Sequence, residues 1–241
     1  CEAAVADQCY TGNLKRVSES LKPLDNTWAT APANAHVTQQ IVKDIRTASP
    51  SEACTALMER IVKGNFGPAT VWDAAHLASA ELKMRTSGGA TILGLHAVTA
   101  CNGLRHSYIA ASDPATRLLI LLQAVGWMGQ FRTWAETRKD GIRDYDITSM
   151  EPSSENPDAG SLFANVSKDQ DASAAGAMRL AKNLPDRQAL LSTALRLRLS
   201  KADEVHYYKY LAALIEDIPL VSPQWQAHLV AASMYYTKRL A

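Results

Sequence analysis

The sequence predicts an all-α protein of about ten helices in a compact multi-helix bundle or array. Apolar residues recur at three- and four-residue steps along most of the chain, the spacing of one helix face. Capping residues stand before proline at several points, which is typical of helix starts. Alternating strand patterns are essentially absent. With 241 residues, 47% of them hydrophobic, the chain can bury a large core.

The helices are placed by their start and stop signals. Ser49-Pro50, Asp113-Pro114 and Ser222-Pro223 each offer a capping side chain followed by proline. Gly64 and the Gly88-Gly89 pair suit helix ends. We expect helices at residues 33–46, 50–63, 70–86, 90–111, 114–138, 170–183, 186–198, 202–217 and 223–239, with a weaker one near 11–22.

Residues 139–164 form the one long irregular stretch, rich in Asp, Ser, Pro and Gly. Its length favours a linker or a lid over a passive connection. It separates an N-terminal helical part, 1–138, from a C-terminal part, 165–241, and we expect the two to form one domain.

Composition excludes several classes of protein. Lys and Arg total 25 against 24 acidic residues, so no basic footprint indicates a nucleic-acid partner. No apolar stretch is long enough to span a membrane. The chain begins at Cys1, which we interpret as a cleavage boundary; a mature lipoprotein or secreted form is the alternative to the expected cytoplasmic location. The four cysteines show no zinc or haem-attachment spacing.

The segment 90–111 carries the first candidate residue, His96. At 3.6 residues per turn His96 shares a face with Thr99, Ala100, Gly103 and Ser107, a trough of small residues that another backbone or a flat ligand could approach. Close packing of two helices, with His96 hydrogen-bonded in the core, is the competing interpretation. Gly94 and Gly103 inside a helix also require a reason in packing or ligand binding.

The second and third candidate groups lie on two other helices. His206, Lys209 and Tyr210 share one face at i+3 and i+4 spacing and suit acid–base chemistry and anion binding. Asp73 and His76 are i, i+3 neighbours, so the carboxylate could orient the imidazole. Ordinary polar helix faces would explain both groups equally well. No HExxH, GxGxxG or P-loop motif accompanies them.

These segments resemble the questin oxidase-like family, Baeyer–Villiger-type oxidases of anthraquinones with many bacterial relatives. The family's Leu-His-x-Val-Thr helix is similar to Leu95–Thr99, and Gly103-Leu104 follows in place of Ala-Leu. Its Asp-Glu-His helix resembles Asp203-Glu204 and, after one inserted residue, His206, with Lys209, Ala213 and Glu216 beyond. Asn102 stands where the family often has a second histidine, and Asp73 stands at an upstream histidine position.

The resemblance implies an oxidoreductase that inserts oxygen beside a carbonyl of an aromatic, polyketide-type small molecule, supported by NADPH. In one arrangement His96 and His206 come from separate helices into one pocket and, with Lys209 and Tyr210, carry acid–base catalysis, while Arg105 holds an anionic group of the substrate or cofactor. In another, a metal ion is bound by residues drawn from Asp73, His76, His96 and His206.

Two other classes of function stay open on the sequence. One is a non-catalytic helical scaffold that binds a small molecule or a protein partner, with Trp134 and Tyr235-Tyr236 as expected contact regions. The other is a haem or metal carrier.

Overall fold

The computed structural model describes residues 2–20, 26–64, 66–139, 141–201 and 205–236. This part of the chain contains eleven α-helices and no strand, which confirms the predicted all-α fold. The helices are α1 Glu2–Ser20, α2 Ala35–Thr47, α3 Pro50–Lys63, α4 Pro68–Arg85, α5 Thr91–Ala110, α6 Pro114–Glu136, α7 Ala159–Asn165, α8 Gln170–Ala181, α9 Leu184–Lys201, α10 Val205–Asp217 and α11 Pro223–Ala232. Short 3-10 turns lie at Asn26–Thr30, Gly88–Ala90, Ile147–Ser149, Ile218–Leu220 and Ser233–Tyr236.

Local capping explains where several helices begin. Ser49 and Glu52 form a reciprocal capping box at the start of α3, and Gly64 ends the same helix with a positive φ of 80°. The side chain of Asp113 accepts a hydrogen bond from the Thr116 N–H at the start of α6. These ends agree with the signals in the sequence. The predicted residues 202–204 and 237–239 lie outside the described part of the chain.

Helix α4 is the centre of the molecule, because every one of its residues except Ala69 is buried. It packs against α2, α5, α6 and α11. Burial on all sides would ordinarily require an apolar sequence, yet α4 contains several charged side chains. Each of these contacts a distant part of the chain, as the following polar contacts show.

Glu81 of α4 forms the most extensive of these contacts. Both of its carboxylate oxygens accept hydrogen bonds from Arg46 of α2, at 2.7 Å each, and the Ile147 N–H donates to the same carboxylate at 3.0 Å. Arg46 also pairs with Asp146. Nearby, the Lys83 ammonium donates to the carbonyl of Tyr235 at 3.2 Å. Buried charge on α4 is therefore paired with α2, with the segment after α6 and with the 3-10 turn that follows α11.

The segment 139–164 is folded onto α4 along part of its length. Thr86 and Ile142 form an isolated bridge, Ile147 is fully buried, and Glu81 caps its backbone. The end of the segment begins α7, a seven-residue helix that the sequence analysis did not predict. The helices before and after this segment contribute buried side chains to one continuous core. None of the described helices is long and apolar enough to cross a membrane.

Candidate functional site

The structure brings His96 of α5 and His206 of α10 together. Their ring centroids are 5.8 Å apart and the rings are perpendicular. His96 is exposed and His206 is partly exposed, so the pair lies at the surface and not in the core. Two histidines that are distant in sequence therefore form one group that a ligand in solution can reach.

Partial burial and neighbouring charge both favour the uncharged form of His96. Partial burial lowers the pKa of His96 below its usual 6.5, and the charges of His206 and Lys209 act in the same direction. A neutral imidazole at pH 7 can accept a proton. Lys209 is exposed on the same helix as His206 and supplies positive charge beside the pair.

Tyr210 lies deeper than these three residues. Its side chain is 1% exposed, and its hydroxyl donates a hydrogen bond of 3.1 Å to the carbonyl of Ala232 at the end of α11. Tyr210 therefore fixes α10 against α11, and its hydroxyl is engaged in that contact.

The small-residue face of α5 has two different explanations. A Cβ atom on Gly94 would lie 2.7 Å from the Cα of Lys83, so Gly94 permits α4 and α5 to approach closely. Gly103 is exposed, and a Cβ atom there would meet no atom within 4 Å. Packing explains the first glycine, while the second leaves open surface on the helix that bears His96.

Helices α5 and α10 run parallel, because His96 contacts His206 and the later residue Asn102 contacts the later residue Asp217. The His96–His206 pair lies at one end; further along, Asn102 donates to the carboxylate of Asp217 at 2.9 Å, and His106 lies 3.4 Å from Glu216. At about 1.5 Å per residue, His96 and His106 are roughly 15 Å apart along the helix axis. The interface therefore carries two separate polar groups.

A third polar group, which shares Asp217 with the second, is buried and is centred on His76 of α4. Its Nδ1 lies 3.3 Å from Asp217 Oδ2 and 3.5 Å from the sulfur of Cys101. His76, Asp217 and Cys101 are each 2% exposed or less. Both contacts are made by the same ring nitrogen, so Cys101 and Asp217 do not lie on opposite sides of the imidazole as they would in a relay of nucleophile, base and carboxylate.

The charge of His76 depends on the residues that it contacts. Burial alone would lower the pKa of His76, but Cys101 and Asp217 outweigh it and raise the pKa to about 10. His76 is therefore an imidazolium at neutral pH, paired with Asp217. Helical spacing had made Asp73 one possible partner of His76, whereas Asp73 accepts a hydrogen bond of 2.8 Å from the Ser222 N–H. Burial also raises the pKa of Asp73.

Four polar atoms around His76 are buried without a hydrogen-bond partner. They are Trp72 Nε1, Asp73 Oδ2, His76 Nε2 and Arg105 Nε. The guanidinium of Arg105 lies 5.1 Å from the centroid of the Trp72 ring. The three nitrogen atoms are hydrogen-bond donors and the carboxylate oxygen is an acceptor. A small polar molecule such as an ordered water would suit these unpaired atoms.

A metal or cofactor fits these residues poorly. The proposed metal ligands are divided, with Asp73 and His76 in the buried group and His96 and His206 at the surface. Among the described residues, no group of three or more His, Cys, Asp or Glu side chains is placed to hold a metal ion. Arg105 offers a buried N–H that suits one ligand oxygen, which is not a phosphate cradle for NADPH.

Of the regions expected for a scaffold, Trp134 is half-buried and Tyr235 is buried. Trp134 is half-buried within an aromatic cluster with Trp127 and Phe131. Tyr235 is 7% exposed and its hydroxyl is hydrogen-bonded to Asp171. The side chain of Tyr236 lies outside the described part of the structure.

Two polar residues that complete the buried group, Cys101 and Asp217, were not among the predicted site residues, and both are buried. The sequence offers one signal for them, Asn102, which the resemblance compares with a histidine position and which contacts Asp217. No family model, curated protein or solved structure matches this chain, so the site is defined by its geometry alone.

Proposed function

We propose that this protein is an oxidoreductase of the questin oxidase-like kind, acting on a flat aromatic or polyketide-type small molecule. The observation that supports this most is the ring-to-ring approach of His96 and His206 at 5.8 Å. The two histidines are the ones singled out by the resemblance, and they come from separate helices to one accessible place.

In the proposed mechanism His96 acts as the general base. Its lowered pKa leaves it neutral at pH 7, so it can take a proton from a phenolic or enolic hydroxyl of the substrate. The positive charge of Lys209 then stabilises the resulting anion. An electron-rich phenolate or enolate is more readily oxidised by dioxygen than its conjugate acid is. One atom of dioxygen would enter the substrate, and a two-electron donor from solution, such as NADPH, would reduce the other atom to water. Tyr210 acts as a positioning residue, and no step is assigned to a metal.

Oxygen consumption with a panel of hydroxyanthraquinones, measured with and without NADPH, tests the activity. His96→Gln should lower kcat at least 100-fold, since a positioned acid–base group contributes about 10²–10⁴-fold. His36→Gln, a change at an exposed histidine of α2, is the matched control and should keep full activity. A panel without any turnover, or a His96→Gln variant as active as the control, would reject the proposal.

A pH profile separates a catalytic role for His96 from a structural one. The rate should rise with pH through the pKa of His96, at a midpoint below 6.5, and then level off. In Lys209→Gln, the loss of the neighbouring charge should move this midpoint upward. A profile that does not respond to Lys209→Gln would show that His96 is not the titrating base.

A scaffold is the second candidate, favoured by exposed apolar side chains on two neighbouring helices. Leu195 and Leu199 of α9 and Val205 and Tyr208 of α10 are each 40–63% exposed. Such residues are typical of protein contact surfaces. A defined partner whose binding is lost in Leu199→Glu but kept in His96→Gln would support this candidate over catalysis.

A further inference from the structure

A cavity lies away from the histidine pair. Its volume is about 740 Å³, within the range of about 300–1,000 Å³ typical of small-molecule sites. Its walls come from the start of α2, residues 148–152, the end of α8, α9 and the start of α11. No lining residue belongs to α5 or α10, so this cavity is distinct from the site proposed above.

Trp225, which lines this cavity and is 5% exposed, has a buried ring nitrogen, Nε1, without a hydrogen-bond partner. The ring of His228 lies 5.0 Å from that of Trp225 and is hydrogen-bonded to the backbone of Gln224. Leaving a buried polar group unpaired costs about 1–3 kcal/mol. A ligand that brings a hydrogen-bond acceptor to the Trp225 indole would recover that cost.

The charges around the cavity are mainly positive. Lys182 at the end of α8 and Arg187 on α9 line it, against one carboxylate, Glu151. The N-terminal end of α11, which carries a partial positive charge, also lines the cavity, and its N-cap residue Ser222 makes no side-chain capping bond. Burial lowers the pKa of His228 to about 4, so this ring is neutral. The balance of charge therefore favours an anion.

The apolar part of the cavity lining suits a flat aromatic ring. Met150 and Met178 present flexible, polarisable side chains that pack well against aromatic rings. We infer that this cavity binds an aromatic carboxylate, with its ring between the methionines and Trp225 and its carboxylate toward Lys182 and Arg187. Such a ligand supplies the acceptor that Trp225 lacks and the negative charge that the two cations favour.

Isothermal titration calorimetry with 2-naphthoate tests this site. The double variant Lys182→Gln/Arg187→Gln should weaken binding at least tenfold. Lys168→Gln, which removes an exposed lysine outside the cavity lining, is the matched control and should bind as the wild type does. 2-Naphthalenemethanol has the same ring without the charge and should bind at least tenfold more weakly than the acid.

The indole N–H signal of Trp225 locates the bound ligand. In an NMR titration with 2-naphthoate, this signal, assigned by its absence in Trp225→Phe, should move as the acceptor arrives. An unmoved Trp225 signal at saturation would overturn the proposal, as would equal affinity for the acid and the alcohol. Unchanged affinity in a double variant with a wild-type circular dichroism spectrum would overturn it as well.

Discussion

The buried ion pair between His76 and Asp217 makes stability depend on pH in a direction that can be worked out. Cys101 and Asp217 raise the pKa of His76 from 6.5 to about 10 against the effect of burial. A group whose pKa is raised on folding stabilises the protein fully below its unfolded pKa. That contribution is lost as pH rises through the folded value. We therefore expect the free energy of unfolding to fall between pH 6.5 and 10.

The size of this fall follows from the same values. Each pH unit between the unfolded and folded pKa corresponds to about 1.36 kcal/mol, so the interval from 6.5 to about 10 sets an upper limit of roughly 5 kcal/mol. We expect a measured loss of roughly 2–5 kcal/mol. Cys9, whose pKa is lowered to about 7 chiefly by a hydrogen bond from Cys54, contributes an opposite slope in this range.

Urea unfolding at half-unit pH steps measures the effect. The difference between wild type and His76→Gln isolates the histidine, because Cys9 titrates in both proteins. His36→Gln should follow the wild-type curve. If His76→Gln does not fold, the His76 ring signal in an NMR titration of the wild type gives its pKa directly. A wild-type curve parallel to that of His76→Gln, or a His76 signal that titrates at or below 6.5, would refute the reasoning.

Three further predictions rest on single contacts. Gly94→Ala should destabilise the protein by about 1–3 kcal/mol, because its Cβ atom would press into the backbone of α4. Gly103→Ala, in open space on the same helix, should instead stabilise it by up to about 1 kcal/mol, and urea midpoints compare the two. Glu81→Gln should cost about 1–3 kcal/mol, because Arg46 loses its buried carboxylate partner and keeps only Asp146, whereas Glu59→Gln at an exposed position should cost little; equal thermal shifts would contradict this. Cys9 should react with iodoacetamide with a midpoint near pH 7, and a midpoint near 9 would show that its thiol is unperturbed.

Local signals in the sequence were sufficient for much of the fold. Helix α3 begins at Pro50 and ends at Lys63, as predicted, because a proline, a capping box and a terminal glycine mark its ends within the chain itself. Helix α7 was missed because it has only seven residues and stands in a stretch of turn-forming composition. The start of α1 at Glu2, far before residue 11, was missed because the segment lacks a strong apolar face.

The candidate site depended on contacts that no local pattern encodes. Helical spacing gave Asp73 as the neighbour of His76, but the carboxylate that pairs with His76 is Asp217, from the end of α10. Periodicity identified a face on α5 and another on α10 without stating that His96 would meet His206. Only the parallel packing of these two helices determines which of their residues are neighbours.

Helix α4 also constrains how the protein unfolds. Its buried polar side chains each hold a different partner, so a shift of one turn or a rotation about its axis would break all of these contacts together. The partners are Arg46 and Ile147 for Glu81, Asp217 for His76, Ser222 for Asp73, and Tyr235 for Lys83. The helix therefore has a single allowed register, and partial slippage offers no intermediate of comparable energy. Its amide protons should exchange with solvent only when the whole molecule opens, in one cooperative event.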